Sequence, residues 1–398
     1  MSMSSYSNCM KIASVDAIVC RSSVEKPMWS LQPWRGGQYR LADFVECTFV
    51  KVASSDGLVG YGQTPGVRFH GPRVTSVGAH CRRLIEQVIA PEIVGEDSLD
   101  SSILWRRLHR TLLSETYSRS SLSAVDIALW DLKGKTLGLP IYRLLGGRYR
   151  KVIELYASKV PGIMNLDSDK EEEVLVDRLS KLSREGYSAF KLGAGLGLET
   201  DTRSVEIARD TVGEKSKIML DAGCAYDLDK ALTLGKRLQD LDVEWFEAPL
   251  PPSEIDGYVK LAEGLDVKIA TDVHPEPVQV TNLLSMGGVD VVLTDVTTGG
   301  GMTASRKIVE LTDLYNVECS THQGWHATAI GYAASAHLSA VAPNLHFQEG
   351  RIHYGDNPFG NPILERPLTV ERGILRVPEG SGLGVELKEE AIGRYEVS

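Results

Sequence analysis

The sequence predicts an α/β protein whose larger part is a closed, parallel (β/α) barrel, preceded by a smaller α+β domain. From about residue 151, short apolar runs alternate with amphipathic segments that have the period of a helix. Seven ionisable residues also end successive apolar runs, 23 to 30 residues apart, which is the length of one strand, one loop and one helix. These residues are Lys191, Asp221, Glu247, Asp272, Asp295, His322 and Glu349. Because the carboxyl ends of barrel strands converge on one mouth, the series predicts a functional site there.

The first part of the chain, to about residue 135, lacks this alternation. Strands followed by helices are typical of a compact α+β domain. Between the first two strands, residues 22–40 form a segment long enough to indicate a lid or binding loop. Strands are predicted at 12–20, 43–53 and 58–64, with a hairpin turn at 55–57, and helices at 73–89, 101–113 and 120–137.

Eight further strands alternate with amphipathic helices and favour a closed barrel over an open sheet. No GxGxxG motif follows the first of them, which disfavours a dinucleotide-binding fold. From about residue 356 turns and short strands return, and we expect this segment to pack back on the first domain. The predicted barrel strands are 152–156, 189–192, 217–220, 243–246, 267–270, 289–293, 317–320 and 345–348.

Composition limits the classes of function. A formal net charge of −10 on 398 residues argues against nucleic acid or an anionic membrane as a partner. The six cysteines are scattered without a CxxC pair, which favours free thiols in a reducing compartment. No apolar stretch approaches the ~18 residues of a membrane helix, and residues 1–10 lack the apolar core of a signal peptide. We therefore expect a cytoplasmic protein.

Three carboxylates, Asp221, Glu247 and Asp272, end consecutive predicted strands. Carboxylates that converge on one point repel each other strongly unless a cation lies between them. Oxygen ligands on short, rigid strand ends suit Mg²⁺, with Mn²⁺ able to replace it. The sequence therefore predicts a divalent metal site at the mouth.

Asp295 and His322 come next, at the ends of neighbouring strands. An aspartate that hydrogen-bonds one imidazole nitrogen fixes the tautomer and raises the basicity of the other nitrogen, which predicts His322 as a general base. We expect Lys191 to bind a substrate carboxylate or stabilise an enolate, and Glu349 to hydrogen-bond the developing oxyanion. A metal site, a histidine base and a lysine at one mouth favour removal of a proton alpha to a carboxylate, because the metal and the lysine stabilise the dianionic enolate.

Several stretches resemble the enolase superfamily, and within it the mandelate racemase group. Residues 123–135 (SAVDIALWDLKGK) and 138–147 resemble the segment that joins the family's capping domain to its barrel. Residues 245–252 resemble the loop with the second metal ligand. Residues 289–295, with Gly299-Gly300, resemble the strand that carries the aspartate of the family's Asp–His dyad, here Asp295 and His322. The similarity covers nearly the whole chain.

The resemblance implies a (β/α)7β TIM-like barrel under an α+β capping domain, which the N-terminal part and the C-terminal segment form together. We predict the cap at 1–138, the barrel at 139–355 and the C-terminal segment at 356–398. The resemblance also implies one Mg²⁺ per subunit, a small carboxylate as substrate, and a homo-oligomer between a dimer and an octamer.

The sequence departs from the family pattern at three places, and one of them is Asp221-Ala222-Gly223 where the family commonly has Asp-Ala-Asn. The family often has Lys-x-Lys on the second strand, with the second lysine as a base, whereas this chain has Lys191-Leu192-Gly193. The face opposite His322 therefore lacks a strong base, which disfavours racemisation. The third metal position, usually a glutamate after two glycines, is here predicted to be Asp272, with His274 as the alternative.

A single base, His322, favours dehydration of an acid sugar, an aldonate or aldarate, to a 2-keto-3-deoxy acid. An epimerase or a lactone cycloisomerase with the same enolate chemistry stays open, because a cycloisomerase needs only one base. A further alternative is a non-catalytic protein that keeps the metal and binds carboxylates. Three residues are predicted to contact the substrate: Trp29 in the long early loop, His70 in a loop directed at the mouth, and His326 four residues after the base.

Overall fold

The computed structural model describes most of the chain. The described residues are 10–30, 40–69, 77–112, 118–163, 165–271, 277–323, 328–350 and 358–397. At 24–30, 40–43, 67–69 and 159 the backbone alone is described. Within all these ranges, no helix is both long and apolar enough to cross a membrane.

The N-terminal domain begins with an antiparallel sheet in which the second strand pairs with the other three. The strands are β1 (Ile12–Ser30), β2 (Arg40–Ser54), β3 (Val59–Gln63) and β4 (Val67–Phe69). Pairing of β1 with β2 continues to Ser30 and Arg40. The prediction of a loop over the whole of 22–40 was therefore wrong, and Trp29 lies in a strand. Pro27 argues against a strand in the sequence, since proline lacks the N–H for strand pairing. Here it falls in a register irregularity, where the missing N–H is tolerated.

The helices of this domain follow the sheet. They are α1 (Val77–Leu84), α2 (Ala90–Ile93), α3 (Ser101–Thr111), α4 (Ser118–Leu137) and α5 (Ile141–Leu144). The single helix predicted at 73–89 is interrupted by a π-helical turn, Ile85–Ile89, before α2. Pro91 explains the interruption, since it has no N–H for the regular i to i−4 hydrogen bond.

Helix α4 packs directly on strand β3 through two glycines. A Cβ atom added at Gly62 would overlap the carbonyl oxygen of Ala124, and one at Gly60 would overlap that of Ala128. Both contacts are with helix backbone, which cannot move aside without breaking the helix. The close approach of the helix and the sheet therefore depends on the absence of side chains at these positions.

We expect Gly62→Ala to destabilise the protein by about 3 kcal/mol, the upper range of overpacking in a close-packed core. The control is Gly193→Ala, also in a strand, where a Cβ would meet described atoms no closer than the Val160 carbonyl oxygen at 3.9 Å. Denaturant unfolding measures both variants. Equal stability of the two would contradict this account of the packing of α4 on β3.

The larger domain is a closed barrel of eight parallel strands, as predicted. The strands are β5 (Val152–Val160), β6 (Ala189–Gly193), β7 (Lys217–Asp221), β8 (Trp245–Glu247), β9 (Lys268–Ala270), β10 (Val291–Thr294), β11 (Glu318–Thr321) and β12 (Leu345–Gly350). Each strand pairs with the next in chain order, and β12 pairs with β5 to close the ring.

In the part of the chain that the structure describes, seven helices connect the eight strands, which gives the expected (β/α)7β order. They are α6 (Asp169–Arg184), α7 (Leu198–Val212), α8 (Leu228–Asp240), α9 (Ile255–Gly264), α10 (Pro277–Ser285), α11 (Gly301–Leu314) and α12 (Ala329–Val341). Their apolar faces pack on the outward side chains of the strands, such as Phe190, Leu192 and Leu220, in the main core.

The inward side chains of the strands form a second, separate core inside the barrel. It consists of Tyr156, Ala189, Met219, Trp245, Ala270, Val291, Leu293 and Phe347. Because side chains alternate along a strand, the residue two positions further on shares the same face. That rule places polar residues directly above this apolar floor, at the carboxyl ends of the strands.

The C-terminal segment contacts both domains. Strand β14 (Ile374–Arg376) pairs with β5 and with β13 (Val370–Glu371), and α13 (Glu389–Gly393) follows. Near the end of the chain, Val397 N donates to Val19 O of the cap at 2.9 Å. The segment thus bridges cap and barrel, while the boundaries at 138 and 355 stay predictions.

Candidate functional site

Six residues of the predicted series lie at one end of the barrel. Lys191, Asp221, Glu247 and Glu349 are in strands β6, β7, β8 and β12, and Asp295 and His322 directly follow β10 and β11. All of them except His322 lie two residues beyond an inward apolar side chain of the barrel, as Glu247 is beyond Trp245. Asp272 lies outside the described residues, so its place in the ring stays a prediction.

Lys191 connects the two described carboxylates of the predicted metal site. Its Nζ lies 2.8 and 2.9 Å from the two oxygens of Glu247, and 3.6 Å from Asp221 Oδ2. Asp221 and Glu247 are also paired neighbours in the sheet register. Below them, Trp245 Nε1 donates to Glu247 Oε2 at 3.2 Å, and Lys191 Nζ lies 5.3 Å from the centre of the Tyr156 ring.

Lys191 and Glu247 are buried, and their electrostatics follow from that. Lys191 and Glu247 are 3% and 1% exposed. Burial raises the pKa of Glu247 to about 8, although the Lys191 ammonium opposes the rise. Burial lowers the pKa of Lys191, but Glu247 and the surrounding acids outweigh it and hold that pKa well above its ordinary value. The carboxylate therefore needs positive charge beside it to remain ionised.

Asp295 and His322 form a buried pair across neighbouring strands. His322 Nδ1 lies 2.9 Å from Asp295 Oδ2. The other aspartate oxygen, Oδ1, accepts from both the backbone N and the Oγ1 of Thr297, each at 2.7 Å. Burial favours the neutral acid, but the His322 and Thr297 hydrogen bonds outweigh it, so the pKa of Asp295 lies below its ordinary value. An ionised Asp295 leaves His322 Nε2 as the nitrogen for proton transfer.

Glu349 faces that second nitrogen. Its Oε2 lies 3.3 Å from His322 Nε2 and accepts from the backbone N of Gln323 at 2.8 Å. Glu349 is completely buried. A carboxyl group in this position can exchange a proton or a hydrogen bond with a molecule on which His322 acts, and its predicted hydrogen bond to the oxyanion stays a prediction.

Gly193 leaves open space on the other side of the mouth. It lies in β6, two residues beyond Lys191 and paired with Asp221. The barrel strands lie in the order β11, β12, β5 and β6. Gly193, in β6, is therefore three strands away from β11, which His322 follows. Among the described residues, an added Cβ would contact only the Val160 carbonyl oxygen, at 3.9 Å. The glycine is thus not demanded by packing of these residues.

The predicted substrate contacts cannot be placed. His70, His326 and the alternative ligand His274 lie outside the described residues. Trp29 pairs with Leu41 in the β1–β2 ribbon, where only the backbone is described. Their roles stay predictions.

A second group of ionisable residues lies at the opposite end of the barrel. Glu318 and Lys268 begin β11 and β9, and Glu244 immediately precedes β8. Glu244, Glu318 and His346 are close enough to hold a cation. However, Lys268 Nζ already lies 2.8 Å from Glu244 and 2.9 Å from Glu318. We interpret this group as a network of ion pairs that joins the amino ends of the strands.

Some residues of the site had not been predicted from the sequence. Thr297, Tyr156 and Trp245 all contact members of the ring, as described above. The position of Trp245 was a usable signal, because a residue two before Glu247 on the same strand shares its face. Thr297 gave no such signal, since its contact with Asp295 depends on the loop conformation after β10.

The fold and this ring of polar residues define the class of capped (β/α)-barrel proteins. Residues 174–391 match the family model described as enolase C-terminal domain-like. Residues 35–146 match the mandelate racemase / muconate lactonizing enzyme N-terminal domain. The chain belongs to the mandelate racemase/muconate lactonizing enzyme family of the enolase superfamily.

The relatives include both dehydratases and cycloisomerases. D-galactarolactone cycloisomerase of Agrobacterium fabrum is 29% identical over 361 residues, 87% of this chain and 90% of the relative. Arabinonate dehydratase of Saccharolobus solfataricus is 28% identical over 356 residues, 88% of this chain and 91% of the relative. The crystal structure of 3,6-anhydro-D-galactonate cycloisomerase from Zobellia galactanivorans has a TM-score of 0.80 and 26% identity, covering 98% of this chain and 100% of that one.

Members of this superfamily bind Mg²⁺ through acidic residues, and the donor set at the mouth fits that ion. Asp221 and Glu247 offer oxygen atoms from adjacent strand ends, and Glu247 is a buried carboxylate that requires a nearby cation. The group at the opposite end offers an imidazole nitrogen as one of its three donors, which suits Mg²⁺ poorly.

Proposed function

We propose that the protein is a Mg²⁺-dependent acid-sugar dehydratase. It removes the proton alpha to a carboxylate and eliminates the beta-hydroxyl group to give a 2-keto-3-deoxy acid. The observation that carries the proposal is the buried pair of Asp295 and His322, at 2.9 Å, with an open glycine at 193 in place of a second base. Relatives that act as arabinonate, gluconate and xylonate dehydratases support it.

The chain's own residues account for the proton transfers. His322 Nε2 takes the alpha proton, and the C–H electron pair moves into the substrate carboxylate to give an enolate. Collapse of the enolate expels the beta-hydroxyl group, which leaves as water after accepting a proton from the His322 imidazolium. The enol then tautomerises to the 2-keto acid, so the sum of the steps is the loss of one water.

Lys191 and the acids at the mouth stabilise the charge that develops. The Lys191 ammonium would hydrogen-bond the substrate carboxylate, and Glu349 would hydrogen-bond the oxyanion. Asp221 and Glu247, with Asp272 as the predicted third ligand, would hold the metal. When bound, Mg²⁺ supplies Lewis-acid stabilisation of a carboxylate that becomes more negative.

A lactone cycloisomerase is the second candidate. It uses the same enolate chemistry with one base, and the relative from Agrobacterium fabrum is a D-galactarolactone cycloisomerase. A panel of arabinonate, gluconate, xylonate and galactarolactone, incubated with Mg²⁺, separates the two. Release of a 2-keto acid from an open-chain acid supports dehydration, whereas consumption of galactarolactone alone supports cycloisomerisation. No alpha-proton exchange in D₂O with any member would favour the non-catalytic alternative.

We expect Gly193→Lys to add proton transfer on the second face of the substrate. The side chain has room at its base, and Gly193 lies on the strand of Lys191. General-base catalysis contributes about 10²-fold or more, so epimerisation at the alpha carbon is expected at about 100 times the rate of Gly193→Met. NMR of the alpha carbon in D₂O measures it.

The methionine variant controls for the volume of the new side chain. If both variants fold and neither forms the epimer, Gly193 does not face the substrate in the proposed way. If wild type already forms the epimer at the same rate, a second base is present and the assignment of one-base chemistry is wrong.

A further inference from the structure

The loop that carries the dyad aspartate is held by the capping domain at several points. This dyad loop consists of residues 295–303, from Asp295 to the first turn of α11. Trp105 Nε1 of the cap donates to Gly300 O at 2.6 Å, and Ser123 Oγ of α4 accepts from Gly300 N at 2.9 Å. Within the loop, Gly299 N donates to Asp295 O at 2.8 Å.

Asp126 makes two further attachments to this loop. It lies on the buried face of α4 and is 1% exposed. Its Oδ2 accepts from Thr303 N at 2.8 Å, and its Oδ1 accepts from Thr303 Oγ1 at 2.7 Å. Trp130 Nε1 donates to the same Oγ1 at 2.9 Å, so the hydroxyl proton of Thr303 is directed to Asp126.

Asp126 thereby caps the amino end of α11 from another domain. Burial raises the pKa of Asp126 to about 7, while the hydrogen bonds from Thr303 and the positive end of the helix dipole oppose this rise by favouring the carboxylate. Gly301 lies so close that a Cβ there would overlap the Asp126 side chain. The loop end and Asp126 therefore fit each other with no free space, and a shift of one moves the other.

We propose that Asp126 is a positioning residue for the base: by fixing the dyad loop from the cap, it orients Asp295 and, through it, His322. The connection is continuous, from Asp126 to Thr303, back along the loop to Thr297, and from Thr297 to Asp295 Oδ1 at 2.7 Å. Asp295 then presents its other oxygen to His322 at 2.9 Å. The capping domain thus acts on proton transfer at the mouth. This inference rests on the proposed role of His322 as the base.

The test is Asp126→Asn, because the two hydrogen bonds of Thr303 go to different oxygens of Asp126, and an amide replaces one of these acceptors by an NH2 donor. Asp131→Asn is the matched control. Asp131 is on the same helix and equally buried, but it accepts from Tyr61 N at 2.9 Å and Leu383 N at 2.8 Å, away from the dyad loop. Both variants lose a buried carboxylate of α4, but only the carboxylate of Asp126 contacts the dyad loop.

The first readout needs no substrate. NMR of ¹⁵N-histidine-labelled protein, assigned with His322→Asn, follows the titration and tautomer of His322, whose charged contacts among the described residues are Asp295 and Glu349. We expect Asp126→Asn to change the ¹⁵N shifts of the His322 ring over this titration, because a displaced Asp295 no longer holds the imidazole in one tautomer. Asp131→Asn leaves that titration at the wild-type value.

The second readout is kinetic. Small displacements of a catalytic group cost up to ~100-fold in rate, so we expect kcat to fall about 10-fold or more in Asp126→Asn with KM within about twofold. Thr303→Ser keeps both hydrogen bonds and should retain wild-type behaviour. If Asp126→Asn does not fold, Ser123→Ala, which removes only the bond to Gly300 N, takes its place.

Identical His322 titrations in Asp126→Asn, Asp131→Asn and wild type, with equal losses of melting temperature, would overturn the inference and leave Asp126 with a structural role only. A changed titration without turnover of any acid in the panel would keep the inference and refute the proposed dehydration. The two failures are therefore distinguishable.

Discussion

We expect His322→Asn to lower alpha-proton exchange and 2-keto acid formation by about 10²–10⁴-fold, the contribution of a positioned general base. Asparagine can still hydrogen-bond Asp295, so the buried aspartate keeps a partner and the fold is retained. It has no group that takes up a proton near neutral pH. Deuterium incorporation at the alpha carbon in D₂O measures the loss directly, in parallel with 2-keto acid release.

His346→Asn is the matched control for this prediction. His346 also lies beside carboxylates, with Nε2 3.0 Å from Glu244 Oε1, but at the opposite end of the barrel. Its replacement is expected to lower stability slightly and leave exchange within about twofold, because partly exposed ion pairs contribute at most ~1 kcal/mol. Near-wild-type exchange by His322→Asn would refute the role of His322 as the base.

The second large effect is expected from Glu247→Gln, which should weaken Mg²⁺ binding by about 100-fold or more. Replacement of a residue that only orients a metal ligand lowers metal affinity ~10–100-fold. Replacement of a ligand itself should therefore lower the affinity at least as much. The change also removes the charge that Lys191 contacts at 2.8 and 2.9 Å. Calorimetric titration of Mg²⁺ into chelator-treated protein measures the affinity, and thermal unfolding measures the loss of the buried pair.

Glu318→Gln separates the two acidic groups of the barrel. Glu318 belongs to the network with Lys268 at the amino ends of the strands, at 2.9 Å. We expect its replacement to leave Mg²⁺ affinity unchanged. The opposite outcome, with Mg²⁺ lost in Glu318→Gln and kept in Glu247→Gln, would move the metal site to the other end of the barrel.

Much of the barrel was predictable because local pattern and tertiary environment agree there. A strand covered by helices on one side and barrel interior on the other is apolar throughout, so its run ends where polar residues begin. The eight predicted strands overlap β5 to β12 for this reason. The same logic predicts from the sequence that Asp295, His322 and Glu349 lie at the mouth.

The prediction failed where a local pattern was weak or misleading. The β1–β2 ribbon carries Pro27 and polar residues, and its strand character comes from pairing between segments that flank residues 31–39. The predicted helix at 73–89 was broken by a π turn that precedes Pro91. Hydrogen bonds between two chain segments decided the conformation of the ribbon. The missing N–H of Pro91 decided that of the helix.

The sequence by itself determined the order of elements, the identities of the polar residues at the strand ends and the absence of a second lysine at Gly193. These follow from periodicity and from residue chemistry, which are local properties. Only the tertiary structure decided that Lys191 bridges Asp221 and Glu247, and that Asp126 of the cap holds the loop of Asp295. Such contacts join residues up to 177 positions apart, and their geometry depends on how two domains pack, which no local pattern records.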